Sequence, residues 1–477
     1  MSGPQTKPKR RLLLFWLGVS LAALILRLAV LPLSPKYGYY GDHDDYARWG
    51  IQAADQGVLT LYDHPPPRWN MQRWQGDRWA VRQRGIDRTL NYPPLSGYLF
   101  WITGHVFKAV SGDRLVNTIT ARAITSSWSI IADFILAWGC AAIVALYKPG
   151  WPARWTYALM LFAPPFWLDS VLWGQTDSIL LAPAVWMLWA MLRPRWVIAG
   201  MLLAVCAAIK PQAVLFLPIW ALAIVISRPI RKPVISFLIA VGALLLMTLP
   251  FTLHSGWAWL RLSYVDNLLH AYALTTLKAF NIWYLDALLC ESLDVRPTWM
   301  AIPKDWWGKA FLVIVLVAGF VGLLCRWRHK TSVLIPWTTL VMLAAIMLPT
   351  RVHERYILLV LPFLTALTFL RPRYWPGLLA ILVVATCQLS WPNWMTHPAG
   401  SWERTERRVT RAFEDRIAKV PPQRQANAPT VTEHLRLVRE QHVSERAASR
   451  RVEWGATILA LLATAHICWA IATTRPP

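Results

Sequence analysis

Apolar runs long enough, or nearly so, to cross a ~30 Å hydrocarbon core as a helix recur along this chain. They fall at residues 12–33, 92–110, 124–147, 155–173, 178–192, 196–227, 233–253, 308–325, 333–349, 356–370, 374–391 and 454–473. No other feature constrains the fold as strongly, because a segment in lipid must satisfy its own backbone hydrogen bonds and so becomes helix. The expected fold is an all-α polytopic membrane protein with about twelve transmembrane helices, thirteen if 196–227 breaks at Lys210-Pro211. Composition agrees: 56% hydrophobic and 16% charged residues, with 30 Trp, is not the balance of a soluble domain.

A formal charge of +24 raises nucleic acid as a partner. The basic residues gather instead in short loops, such as Arg228, Arg231 and Lys232, then Arg326, Arg328 and Lys330, then Arg371 and Arg373. That is the positive-inside pattern, and it points to membrane lipids rather than to nucleic acid. Lys7, Lys9, Arg10 and Arg11 put the N-terminus in the cytoplasm, and no small-residue cleavage site follows the first run, which reads as a retained anchor. The loop carrying Asp42 is then outside, and the basic loops before 333 and after 370 put His353 outside as well. Parity fails in between. Counting forward places residues 148–154 outside, whereas counting back from Arg228 through Arg193 and Arg195 places them inside if Lys210 marks a break.

Residues 1–392 form the expected membrane domain, with outer loops at 34–91 and 254–305. A polar segment follows at 393–453, and 454–477 is a last transmembrane helix and tail. In the first loop, 44–55 reads as a short amphipathic helix, and Pro65, Pro66 and Pro67 end any helix before them. Trp257, Trp259, Tyr264, Trp283 and Tyr284 suit the headgroup zone. Pro421-Pro422 separates two helical halves in the charged segment. Cys140, Cys206, Cys387 and Cys468 lie in apolar runs, Cys325 at the end of one and Cys290 in a loop, without CxxC spacing, which argues against a disulfide framework or a zinc site. No internal repeat of the transporter kind and no Asn-x-Ser/Thr sequon occurs.

Ionisable groups beside apolar runs mark candidate sites. In Gly41-Asp42-His43-Asp44-Asp45-Tyr46-Ala47-Arg48-Trp49, Asp42 is either a helix cap, with Asp45 reaching back, or a general base above the bilayer. Asn91 and Tyr92 open the next run ahead of Pro93-Pro94, where proline in a first helical turn is ordinary. Asp169, Trp173 and Asp177 share a helical face at four-residue spacing. Their carboxylates are expected either to pair with Lys210 or Arg122 or to meet substrate. Lys210 interrupts an apolar run and either snorkels or serves the site. Arg351, His353 and Arg355 stand within five residues at the entrance of a run, a density suited to binding phosphate through charge-assisted hydrogen bonds, with Glu354 available to hold either arginine. An HExxH zinc motif is absent, since Ile357 stands four residues after His353.

Taken together these segments resemble the GT-C glycosyltransferases, a membrane class that uses polyprenyl-phosphate-linked sugars. Residues 41–49 are similar to the Gly-Asp-Phe-Glu-x4-Trp segment of the glucosyltransferases of N-glycan assembly. Tyr92-Pro93-Pro94-Leu95 and His353-Glu354-Arg355 resemble the Tyr-Pro-Pro-Leu and His-Glu-Lys of those enzymes. Gly174-Gln175-x-Asp177, Ala279-Phe280-Asn281-Ile282-Trp283 and His-Glu-Arg-Tyr look closer to bacterial relatives of the mannosyltransferases of GPI-anchor assembly. The motifs keep their order over residues 38–360, with the charged tail outside. Each motif alone is weak; together they specify the class and not the sugar.

The resemblance implies that Asp42 is the catalytic base of an inverting transfer, that Asp44 stands for the family's Glu, and that His353 and Arg355 face the donor phosphate. Arg355 replaces a Lys of the glucosyltransferases. The expected reaction moves glucose or mannose from a polyprenyl or dolichyl phosphate to a hydroxyl of a glycan, lipid-linked or protein acceptor on the non-cytoplasmic face. The remaining expected substrate contacts are Asp44, Tyr92, Gln175, Asp177, Lys210, Asn281, Trp283, Arg351 and Glu354. No cofactor is required, although Asp42, Asp44 and Asp45 could hold a divalent ion. The membrane is expected to be a bacterial inner membrane, or the endoplasmic reticulum in a eukaryote. A flippase or transporter of lipid-linked sugars is the alternative; it would need ionisable groups lining a path through the spans, whereas here they gather at one face. A membrane scaffold using 400–452 is a second.

Overall fold

Apolar sequence becomes helix throughout the chain, whose computed structural model describes residues 6–66, 69–74, 79–84, 89–111, 115–270, 274–290, 298–327, 330–390, 410 and 431–475. The main helices are α1 (Thr6–Val30), α2 (Tyr40–Gln56), α3 (Pro94–Val110), α4 (Ile119–Ala145), α5 (Trp151–Phe162), α6 (Asp177–Leu192) and α7 (Trp196–Ile209). They continue with α8 (Leu217–Ile226), α9 (Arg231–Ser255), α10 (Ile282–Cys290), α11 (Lys304–Trp327), α12 (Leu334–Met347), α13 (Leu361–Leu370), α14 (Trp375–Ser390) and α15 (Val431–Thr473). Among the described residues five stretches, Leu12–Tyr37, Ile119–Ala145, Arg231–Ser255, Lys304–Arg326 and Arg450–Thr473, are long and apolar enough to cross a membrane. Shorter apolar helices such as α6 and α12 fill the interior and bury almost every side chain. The protein is an all-α polytopic membrane protein. The segment between α2 and α3 also holds a small antiparallel hairpin, Trp69–Trp74 on Trp79–Arg84, which the hydropathy pattern does not announce.

The bundle has two chemically different ends. At one end Lys148 Nζ reaches the carbonyl of Phe369 (3.5 Å), Arg371 Nε that of Arg475 (3.3 Å) and the Arg326 guanidinium that of Ala472, while Arg373 lies over the Trp469 ring. At the other end Asp63 accepts from His254 and Ser255 at the close of α9, and Trp173 Nε1 donates to Leu389 O at the close of α14. The chain breaks at Lys210 (φ −144°, ψ 144°), and a tight helical turn, Pro211–Phe216, starts the return.

The run at 92–110 folds as α3 at one end of the bundle. The Ser96 hydroxyl ties the start of α3 to Ile209 O (2.8 Å), and Phe107 near its finish packs with Val116 and Ala121 at the start of α4. Both tips of α3 therefore rest at the same end of the bundle, and α3 runs alongside α2. The parity conflict disappears once α3 leaves the alternation: residues 148–154, 193–195, 228–232, 326 and 371–373 fall at one end, and Asp42, Gln175, Lys210 and Arg355 at the other.

The α2–α3 contact is close because two glycines meet. A Cβ on Gly104 would sit 1.9 Å from Gly50 O, a backbone atom that cannot step aside. Gly104→Ala should therefore push α2 off α3 and displace the residues α2 carries. The expected result is a loss of well over ~1 kcal/mol, large among single substitutions, with a loss of activity; thermal unfolding of the purified variant in one detergent checks it. Wild-type melting and activity in Gly104→Ala would show that α2 is placed by other contacts.

Two buried polar ties hold the rest. Arg27 and Asp133 form an ion pair at 2.7 Å that also receives the Ser170 and Ser178 hydroxyls, fixing α1 and α4 to the start of α6. Arg122 donates to Asn117 Oδ1, Trp173 O and Tyr39 O, clamping the entry to α2 against the turn before α6. The final span and the polar stretch before it are one continuous helix, α15, where the sequence suggests a boundary near 453. The expected helical half before Pro421-Pro422 lies outside the described residues, save residue 410.

Candidate active site

Five separate segments deliver polar side chains to one point at the α2 end of the bundle. Asp42 is not the cap of its helix. The N-cap is Tyr39, and Asp42 sits in the first turn with its carboxylate turned outward, its side chain 18% exposed. Its Oδ2 accepts from Arg355 Nη1 (2.7 Å) and from Gln175 Nε2 (2.8 Å). Gln175 Oε1 in turn accepts from Tyr46 OH (2.9 Å), and Tyr46 OH meets Tyr92 OH at 2.9 Å. Behind Arg355 stands Asp177, whose Oδ1 is 2.8 Å from Lys210 Nζ and whose Oδ2 is 3.5 Å from Arg355 Nε. Partners between 33 and 313 positions apart thus form one alternating chain of charge, Lys210, Asp177, Arg355, Asp42.

The local sequence explains the placement. Gly174, at φ +70°, ends the π-helical turn Leu168–Trp173 and lets Gln175 and Asp177 enter from a fresh direction. The expected continuous face of Asp169, Trp173 and Asp177 is interrupted there. Asp177 takes Lys210 as its partner; Arg122 is engaged elsewhere, and both carboxyl oxygens of buried Asp169 make no hydrogen bond among the described residues. Lys210 is 1% exposed, so it does not snorkel; the break before Pro211 exists to aim it inward.

Asp42, Asp45, Tyr46, Trp49, Asn91, Tyr92, Gln212, Asn267, His353, Arg355 and Tyr356 surround a narrow polar cavity. Asp42, Asp45, Tyr46 and Trp49 are one face of α2, at offsets of three, four and seven. Burial pushes the Tyr46 and Tyr92 hydroxyls up, so both stay protonated and available as donors. His353 packs on the Tyr356 ring, whose hydroxyl accepts from Gln212 Nε2 (2.7 Å). Burial opposes the charge on Glu354, but the His353 hydrogen bond and charge, with Arg355, hold its carboxyl below the usual range.

Of the expected contacts, Asp42, Tyr92, Gln175, Asp177, Lys210, His353 and Arg355 come together. Others are placed elsewhere. Asp44 turns away from the cavity and pairs with Arg48 at 2.7 Å, both fully buried, so the three aspartates do not converge. Among the described residues no group of three His, Cys, Asp or Glu is set to hold a metal ion. Arg351 leaves the phosphate end: at φ +64° it donates its N–H to Thr275 O and its side chain approaches Asp305 (3.5 Å). Glu354 holds neither arginine but lies against His353. Asn281 Nδ2 bonds to Ile346 O, and Trp283 Nε1 to Leu348 O, so both brace the turn that carries His353. That turn is further held by a short parallel pairing of Thr276–Leu277 with Val352–His353.

Tyr46, Gln212 and Asn267 are site residues the sequence reading passed over; Asp45, read there as a capping partner or a metal ligand, lines the cavity. Tyr46 was detectable, one helical turn from Asp42; Gln212 and Asn267 carried no such signal. Beyond the cavity, Leu203, Ala207, Val214, Phe237, Leu244 and Trp259 are among the residues lining an apolar groove. Neighbouring positions line the two spaces: Gln212 the cavity and Ala213 the groove, Asn267 the cavity and Tyr264 the groove.

The family model of glycosyltransferase family 87 matches residues 90–350. Among solved structures, the crystal structure of ArnT from Cupriavidus metallidurans bound to undecaprenyl phosphate is similar over 94% of this chain and 78% of that one, at 14% identity and a TM-score of 0.47. No curated protein matches.

Proposed function

Because the chain belongs to glycosyltransferase family 87, we propose that it moves one hexose, glucose or mannose, from a polyprenyl phosphate to an acceptor hydroxyl at the non-cytoplasmic face, inverting the anomeric carbon. The observation that carries this reading is a carboxylate and a guanidinium, Asp42 and Arg355, at one polar cavity, with an apolar groove lined from the adjoining chain positions Ala213 and Val214. A polar headgroup on a long apolar chain fits such a pair of spaces. The basic loops at the opposite end support a non-cytoplasmic site.

In this reading Asp42 takes the proton of the acceptor hydroxyl as its oxygen bonds to the anomeric carbon, and the bond to the phosphate oxygen breaks on the other side. The electron pair leaves with the lipid phosphate, whose growing charge Arg355 and His353 stabilise. Gln175 orients the base through its 2.8 Å hydrogen bond. The test is the purified protein in vesicles with radiolabelled polyprenyl-phosphate hexoses or nucleotide sugars. Transfer from the lipid donor alone, with inverted configuration in the product, is expected. Use of the nucleotide sugar, or retention of configuration, would overturn it, and movement of the lipid-linked sugar between leaflets without transfer would favour a flippase.

A further inference from the structure

The two groups that transfer needs on opposite sides of the anomeric carbon touch each other. Arg355 Nη1 lies 2.7 Å from Asp42 Oδ2. A carboxylate held by a guanidinium is a weak base, because charge and hydrogen bond both favour its ionised form. The same guanidinium is poorly placed to bind phosphate, since its Nη1 is already engaged by Asp42. Its other ties are slight. Buried Nε makes no hydrogen bond and stands 3.5 Å from Asp177 Oδ2, while Asp177 gives its other oxygen to Lys210 at 2.8 Å. Asp42 Oδ2 keeps a second donor, Gln175 Nε2, that would still orient it without the arginine.

Resting on the donor reading above, we propose that Arg355 is exchanged between two anions: it holds Asp42 in the unloaded protein and turns to the donor phosphate when the lipid-linked sugar enters, so that donor binding frees the base. Asp177, neutralised by Lys210, is the positioning residue about which the guanidinium turns. A fully charged Asp177 would hold Arg355 too strongly to release it, and an absent one would leave Nε with no nearby anion. The consequence is an order of events. Acceptor or water arriving first meets a carboxylate committed to Arg355; only a loaded site has both a free base and a stabilised leaving group.

Binding of sugar-free polyprenyl phosphate to the full-length protein in nanodiscs reads the exchange without any chemistry. Asp42→Asn releases Arg355 in advance, so it should tighten binding about tenfold, the worth of one hydrogen bond between charged partners. Asp45→Asn removes the same charge from the same cavity and should give a several-fold smaller gain. In an Arg355→Gln background Asp42→Asn should bring no gain, which isolates the pair from its surroundings. Asp42→Ser carries the same expectation and replaces Asp42→Asn if that variant melts early. Equal gains from Asp42→Asn and Asp45→Asn, or a gain that survives Arg355→Gln, would mean simple charge removal and overturn the exchange while leaving the donor reading intact. Failure of wild type and every variant to bind polyprenyl phosphate would overturn both.

Discussion

Asp42→Asn is expected to lower sugar transfer by about 10²–10⁴-fold, the usual worth of a positioned general base, while leaving the protein folded. The amide keeps the shape of the carboxylate and its place in the first turn of α2, and that helix is fixed by contacts well away from it, such as Gly50 on Gly104 and the buried Tyr46 and Trp49. What the amide cannot do is take a proton from the acceptor hydroxyl. The loss should therefore appear in kcat, with the KM for the donor unchanged or lower, because Arg355 is then available to the phosphate. That pattern separates lost chemistry from lost binding. Asp44→Asn is the contrasting case. It breaks the buried pair with Arg48, so its cost should fall on stability. Turnover at the wild-type rate in Asp42→Asn would remove the base from the mechanism.

Much of this site was legible because membrane proteins make polar residues conspicuous. Asp42, Gln175, Asp177, Lys210 and Arg355 each stand beside apolar sequence where an ionisable or amide group is costly, and the structure joins all five. Legibility failed where one signal had two physical sources. Pro94 to Val110 is as apolar as a transmembrane helix, yet Phe100 and Phe107 pack on α2, Phe251 and the start of α4 while Trp101, Ile102, Val106 and Val110 stay exposed; hydropathy does not name the partner. Arg351 and Glu354 share the dense motif with Arg355, but one backbone turn at φ +64° sends Arg351 toward Asp305. Asp44 and Asp42 differ by two positions on a helix and so face different directions, which a linear motif match cannot register. Tyr46 shows the converse: helical spacing from Asp42 was sufficient to find it once α2 was granted.

Lys210→Met should cost about 3–5 kcal/mol, the loss seen when one partner of a buried ion pair is removed, out of a total that for most domains is only ~5–15 kcal/mol. Lys210 and Asp177 are each 1% exposed at 2.8 Å, so no water replaces the missing ammonium. Arg355, 3.5 Å away on the other oxygen, would be drawn toward the uncompensated Asp177 and away from Asp42. The variant should therefore lose both stability and transfer, the second because the guanidinium is pulled to the wrong anion. Replacing both partners separates the two effects. Lys210→Met with Asp177→Leu buries no unpaired charge and should recover most of the melting temperature, since apolar replacement of a buried pair is often neutral. Its activity should stay low, because nothing then holds Nε beside the cavity. Melting in one detergent and single-turnover transfer are the two readings to compare. Full recovery of transfer in the double variant would show that the pair serves only to fill the core, and that Arg355 finds its place from Asp42 alone.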